Sequence, residues 1–409
     1  LELILRNAHA DGHGDQTVDV AIAAGRIAAI GPALEARAAR EIDLEGRFLS
    51  PGLVETHVHL DKSCIMERCV SAQGTLDEAI AQVAAAKAGF TAQDVHARAS
   101  RTLEKSILQG ITHMRTHVEV DPGIGLRGLE GVLPLVADYQ WAIDLEICVF
   151  PQEGLLNNPG TEALMIESLK RGARVVGAAP YCDTDPRGQI DRVFTIARDF
   201  DVDVDMHLDF FLDFERGHLD YVCEQTRRHR YEGRVAIGHV STLSAMPAPR
   251  LEEVARRLTQ AGVAVTVLPS TDLFLMGRGI DHNVPRGVAP AHRLARAGVN
   301  CSLSTNNVLN PFTPFGDCSL LRMANLYANV AQLGARDAIA ECFELITHRP
   351  ARLLGLEGYG IEVGHPADLV AFDCSDRVAA VAELATPLYG FKDGRMTFSR
   401  VAATLYRPR

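Results

Sequence analysis

Three scarcities in this 409-residue chain each close off a class of function. No apolar run approaches the ~18–20 residues that a membrane-crossing helix needs, so a membrane is not an expected partner. The opening Leu1–Arg6 also lacks a secretory leader's charged region, long apolar core and small-residue cleavage site. No basic run stands out, and 41 Lys and Arg against 52 Asp and Glu leave a net charge of −11. That balance favours solubility and argues against nucleic acid as a partner. No Cys-x-x-Cys pair occurs among the nine scattered cysteines, which argues against a zinc ribbon and against the cysteine-held zinc of small nucleobase deaminases. Free thiols in a reducing cytoplasm are the expectation. Internal repeats and low-complexity segments are missing as well.

What is present is an ordinary globular composition, 47% hydrophobic and 23% charged. The length suits two or three domains, or one barrel of ~250 residues with a smaller satellite. Residues 1–50 read as short strands with Asp-Gly, Gly-Arg and Gly-Pro turns: Leu1–Arg6, Thr17–Ala23, Arg26–Ile30 and Arg47–Leu49. The charged stretch Glu35–Arg40 reads as a solvated loop. From Pro51 strands alternate with helices, the mark of a parallel sheet under covering helices. Eight barrel strands are predicted: Leu53–His59, Thr112–Val118, Leu145–Phe150, Arg174–Ala178, Val202–His207, Val235–His239, Val263–Leu268 and Asn300–Ser304. Thr75-Leu76-Asp77-Glu78 is a capping box opening a helix toward Lys87, and a second helix is expected from Thr91 to Gln109. Beyond Arg349-Pro350 strand texture returns over Gly360–Val363, Asp368–Asp373, Pro387–Lys392 and Thr397–Tyr406. The expected architecture is therefore α/β: a (β/α)8 TIM barrel over residues 51–350, with a small β-sandwich built from residues 1–50 and 351–409.

The stretch that organises this reading is Pro51-Gly52-Leu53-Val54-Glu55-Thr56-His57-Val58-His59. Alternate residues of a strand share a face, so His57 and His59 project together from its C-terminal end. Barrel enzymes hang their reactive groups at those ends. The other predicted ends supply His117, Gln152, His207, His239, Asp272 and Asn306-Asn307. Each has a bland reading as a packed ring or a loop polar group, but five histidines on four strand ends point to one shared metal site. Three histidines hold a Zn²⁺ or Fe²⁺ ion while leaving room for water, whose pKa then falls from 15.7 to about 7. The expected ligands are His57, His59 and His207, with His239 as acid/base or electrostatic stabiliser.

These residues, with Thr347-His348-Arg349-Pro350-Ala351-Arg352-Leu353-Leu354-Gly355-Leu356 and Gly364-His365-Pro366-Ala367-Asp368-Leu369-Val370, resemble the amidohydrolase superfamily over essentially the whole chain. Arg115-Thr116-His117-Val118-Glu119-Val120, Phe150-Pro151-Gln152-Glu153-Gly154 and Asn310-Pro311-Phe312-Thr313-Pro314-Phe315-Gly316 look like the cytosine deaminase and N-isopropylammelide aminohydrolase branch. His59-Leu60-Asp61-Lys62-Ser63 leans toward the latter. The resemblance implies that Gln152 binds a heterocycle's amide edge, Lys62 its polar groups, and Phe312 its ring face. The bland readings are a solvated charge for Lys62 and core packing for Phe312. Strand four has no lysine to bridge two metals, so one divalent ion is expected.

Three positions depart from the pattern. Asn306 stands where these deaminases carry a metal-binding, proton-shuttling Asp, and Asn307 where the close relatives usually have a second Asp. Phe210 replaces a glutamate three residues beyond the strand-five histidine. Asn accepts no proton at neutral pH. The primary reading is a metal-dependent hydrolase of C–N bonds in a small nitrogen-rich heterocycle, with His239, Asp272 or Asp209 taking over proton transfer. The alternatives are a catalytically impaired binding homologue, or a lyase or isomerase. Asp209 and Asp272 have bland readings as loop caps. A homo-oligomer stays open.

Overall fold

The computed structural model describes residues 1–401 and 403–406. The first fifty residues form β1 (Leu3–Ala10), β2 (Val18–Ala23), β3 (Arg26–Gly31), β4 (Arg40–Asp43) and β5 (Phe48–Pro51). β4 was not anticipated and begins where the charged stretch Glu35–Arg40 ends: Arg40-Glu41-Ile42-Asp43 is mostly exposed and has no apolar alternation to betray it. It is a strand because it pairs in parallel with Leu3–Arg6 of β1.

Eight parallel strands follow in sequence order: β6 (Leu53–Val58), β7 (Ile111–Glu119), β8 (Asp144–Phe150), β9 (Val175–Ala178), β10 (Asp203–Leu208), β11 (Val235–His239), β12 (Val263–Val267) and β13 (Cys301–Leu303). Each lies within one residue of its predicted bounds. Buried on both faces, they read as continuous apolar runs interrupted only where a polar side chain points inward. β13 spans only three residues, and the barrel is nearly closed by what comes after it. Asn306 bridges Val58 of β6, its N–H donating to the His57 carbonyl and its own carbonyl accepting from the His59 N–H, each at 2.9 Å. Below that bridge Thr56 Oγ1 lies 2.8 Å from the hydroxyls of both Ser302 and Ser304.

Thr75 caps the helix Leu76–Lys87 by accepting from the Glu78 N–H, and Thr91 caps Ala92–Leu108 through the Asp94 N–H, as the capping pattern anticipates. The tail adds β14 (Leu369–Phe372), β15 (Pro387–Lys392) and β16 (Arg395–Ser399), with an unanticipated helix over Arg377–Ala382 capped by Asp376. Gly360–Val363 forms no strand. The strand predicted over Thr397–Tyr406 ends at Ser399, and Ala402 within it lies outside the described residues.

Both termini join one hydrogen-bonded path, β16-β15-β14-β5-β1-β2-β3, with β4 on β1. Its side chains share a core of their own, including Leu5, Val20 and Ile22 from the start of the chain and Leu369, Ala371 and Phe391 from its end. A second, larger core fills the space between barrel and helices. No helix among the described residues is long and apolar enough to cross a membrane.

Candidate metal centre and active site

His57 and His59 leave the end of β6, His207 the end of β10 and His239 the end of β11. All four rings are buried. His207 Nε2 lies 3.1 Å from His57 Nε2 and 3.1 Å from His59 Nε2. One nitrogen each from His57, His207 and His239 falls within a 4.8 Å cluster. Burial, reinforced by the neighbouring rings, pushes His57, His59 and His207 well below the usual imidazole range, so all three are neutral.

A neutral imidazole carries one N–H and one lone pair. The Nδ1–H of His59 donates to the His117 carbonyl at 3.1 Å, which leaves a lone pair on its Nε2. A single hydrogen on His207 Nε2 cannot point along both of its 3.1 Å contacts, so protons alone leave lone pairs facing each other. A cation among the three nitrogens removes the conflict. Tetrahedral ligands bonded at about 2.0–2.1 Å stand about 3.3 Å apart, close to the two 3.1 Å contacts that His207 Nε2 makes. The residues present therefore fit one divalent ion.

His239 is held differently. Its Nδ1 lies 2.6 Å from Asp272 Oδ1, and Phe210 stacks on the ring at 3.7 Å between centroids. Its φ of 68° is a left-handed conformation that a non-glycine residue adopts at a cost, and such strain gathers at functional sites. Burial raises the Asp272 carboxyl while His239 pulls it down. The pair thus points His239 Nε2 with a defined tautomer, and Asp272 is engaged as the group that orients it. Asn306, joined through its main chain to His57 and His59, is fully buried and also left-handed at φ 61°, with neither amide atom hydrogen-bonded among the described residues.

A family model described as amidohydrolase family matches residues 137–398. The chain belongs to the amidohydrolase family. It is 28% identical to N-isopropylammelide isopropyl amidohydrolase of Pseudomonas sp. (strain ADP) over 97% of this chain and 96% of that one. Among solved structures it is similar to 5-methylcytosine deaminase from Klebsiella pneumoniae liganded with 5-fluorocytosine, with TM-score 0.94, 27% identity and 99% of each chain covered. It is also similar to N-isopropylammelide isopropylaminohydrolase from Burkholderia multivorans, with TM-score 0.85, 28% identity and 96% and 97% covered. Within the superfamily the chain thus stands in the cytosine deaminase and ammelide hydrolase branch.

The remaining candidate residues of this amidohydrolase divide into two groups. Lys62, Gln152 and Phe312 come together: the Lys62 ammonium lies 3.4 Å from Gln152 Oε1 and 4.4 Å from the Phe312 ring centre. Lys62 is no solvated loop charge, being 2% exposed and paired with Glu119. Glu119 also meets Lys87, which reaches in from its helix to Asp121 at 2.6 Å and to Glu153. Although burial pushes the Glu119 carboxyl up, the two lysines hold it below its ordinary value. With Oε1 taken by Lys62, Gln152 presents its amide N–H groups, one of them 3.8 Å from Cys182 Sγ.

The second group is held by loop structure. Asn307 Oδ1 accepts from Asn310 Nδ2 at 2.7 Å. Both Asp209 oxygens accept the His218 N–H at 2.9 Å, and Oδ2 also takes that of Leu219, which matches the bland reading as a cap. Glu119, Lys87 and Glu55 were not anticipated as parts of the site. Glu55 accepts from the N–H groups of His57 and Thr305 and from the Thr305 hydroxyl, and burial pushes its carboxyl up to about 7. The available signal was a charged residue inside an otherwise apolar strand.

Proposed function

We propose that this amidohydrolase hydrolyses a C–N bond of a small nitrogen-rich heterocycle, releasing ammonia or an amine, with one divalent ion, Zn²⁺ or Fe²⁺, held by His57, His59 and His207. The catalytic unit is residues 51–350, with residues 1–50 and 351–409 as the joint sheet domain. The observation that carries the reading is His207 Nε2 standing 3.1 Å from both His57 Nε2 and His59 Nε2, beside an Asp-oriented His239, at the C-terminal ends of barrel strands. A divalent ion bound there supplies water made acidic enough to attack at neutral pH.

The chain's own residues supply the rest. His239, fixed by Asp272, is placed to hold or pass a proton at Nε2 where charge develops on the ring. Lys62 and Gln152 offer N–H donors to acceptor atoms of the ring, and Phe312 gives an aromatic face beside them. Asn306 offers only a neutral amide oxygen, so the ion keeps one more positive charge than an Asp would leave it. The heterocycle follows from the relatives, named for action on an ammelide and on 5-methylcytosine.

Two measurements test this: metal content of the purified protein, and ammonia or amine release from a panel of oxo-pyrimidines and triazines. Bound metal with release supports the hydrolase. Tight ring binding without release, unchanged by added Zn²⁺ or Fe²⁺, returns the binding-protein reading. Asn306→Asp is expected to tighten metal retention by restoring an anionic ligand. Unchanged or weaker retention would remove Asn306 from the metal's surroundings.

A further inference from the structure

A histidine that binds metal through one ring nitrogen ordinarily has the other fixed by a hydrogen bond, which sets the ring's angle. His59 obeys this rule, whereas the Nδ1 atoms of His57 and His207 have no partner among the described residues. His57 is held by packing instead. On one side the His117 ring lies almost flat against it, centroids 3.8 Å apart and planes 22° from parallel. On another is Gly238, where a Cβ would stand 3.1 Å from His57 Cε1.

His117 is backed by a buried charge pair. Its Nε2 faces Asp205 Oδ1 at 3.4 Å without forming a hydrogen bond, and Asp205 Oδ2 accepts from Arg115 Nη1 at 2.9 Å. Arg115 Nε in turn donates to Glu146 at 2.7 Å. His117, Asp205 and Arg115 are all 2% exposed or less. Strand alternation explains the layout: Arg115 is two residues before His117 on β7, and Asp205 two before His207 on β10, so all four point into the barrel. The ion pair therefore lies one layer below the metal centre.

We propose that His117, packed between His57 and the Asp205–Arg115 pair, is a positioning residue that sets the angle of metal ligand His57, taking the place of the missing hydrogen bond on its Nδ1. The inference rests on the metal reading above and gives a purpose to a buried charge pair that a parallel barrel does not need. Replacing such a pair by apolar residues is often neutral for stability, so a structural role and a positioning role make different predictions.

The test is Zn²⁺ affinity of the full-length protein by competition with a chromophoric chelator, alongside the melting temperature of the metal-free form. His117→Ala and the double variant Arg115→Met/Asp205→Leu are each expected to weaken Zn²⁺ binding about 10–100-fold, the usual effect of losing an outer partner of a ligand. The metal-free double variant is expected to melt near the parent. Asp205→Asn alone leaves Arg115 in place and still paired with Glu146, so the charge beneath His117 is not removed, which is why the double variant decides. Zn²⁺ affinity within twofold of the parent in both His117→Ala and the double variant would overturn the proposal. A parent that takes up no Zn²⁺ would overturn the metal reading and this inference with it. The parent's own titration separates that outcome from a failure confined to His117.

Discussion

Two clusters of histidine and carboxylate lie at opposite ends of the barrel, and they are built to different rules. At the N-terminal end His113 Nε2 stands 3.3 Å from Asp144 and 3.6 Å from Asp368, a grouping that on distance alone would suit a cation. A cation is already there: Lys392 of β15 reaches Asp368 at 2.8 Å and Asp144 at 3.0 Å. Although partial burial pushes the Asp144 carboxyl up, His113 and Lys392 bring it down to about 2. The cluster is saturated, and it fastens the terminal sheet to the barrel floor. At the C-terminal end no lysine or arginine among the described residues is hydrogen-bonded to the ring nitrogens of His57, His59 and His207. Residue types and spacing cannot tell a fastening from a metal site. What separates them is whether the protein has supplied the counter-charge itself.

The comparison breaks most sharply if the two ends are emptied separately. His207→Ala is expected to abolish tight metal binding and reduce turnover at or beyond the upper end of the ~10²–10⁴-fold that a general base contributes, with metal-free stability little changed. Lys392→Met should do the reverse. It leaves two carboxylates without their cation and is expected to cost about 3 kcal/mol of unfolding free energy, since Asp144 is half exposed, with metal content and turnover intact. Metal analysis and denaturant unfolding of both variants check the pair. Loss of metal on Lys392→Met would mean the two ends are coupled.

His239→Asn sharpens the distinction inside the site. It removes the oriented ring but no predicted ligand, so turnover should fall about 10²–10⁴-fold while metal content holds. A drop in metal content would make His239 a ligand. Gly238→Ala is a milder test. The added methyl presses on His57 and overpacking costs about 1–3 kcal/mol, and Zn²⁺ affinity should fall with it.

The smallest effect belongs to a surface group. Asp94 is drawn down to about 2 from an ordinary 3.8, first by Arg68 against partial burial and then by Arg98. A depressed carboxylate stabilises the fold above its unfolded pKa, and that contribution fades as pH falls from about 4 toward 2. Asp94→Asn should melt slightly below the parent at pH 7 and level with it near pH 2. A gap that persists at pH 2 would assign the effect to packing.

The barrel was legible because parallel strands buried on both faces write continuous apolar runs, and His57, His59, His207 and His239 sit where those runs end. β4 was illegible because it pairs with β1, distant in sequence, and its own side chains are mostly exposed. The neighbours of the histidines were harder still. Arg115 and Asp205 announce themselves as charges inside buried strands, but nothing in the sequence says that they meet. That Lys87 would turn from its helix to Glu119, and that Asn310 would claim Asn307, depends on loop paths that no periodicity encodes.

The short eighth strand leaves the hoop of the barrel to be fastened by the backbone of Asn306, hooked between the main chains of two residues that present imidazoles to the centre. Clasp and candidate centre thus share His57, His59 and Asn306, one through their main chains and the other through their side chains. Whatever settles among those rings also cinches the barrel shut, and heat that springs the clasp disperses the rings in the same stroke.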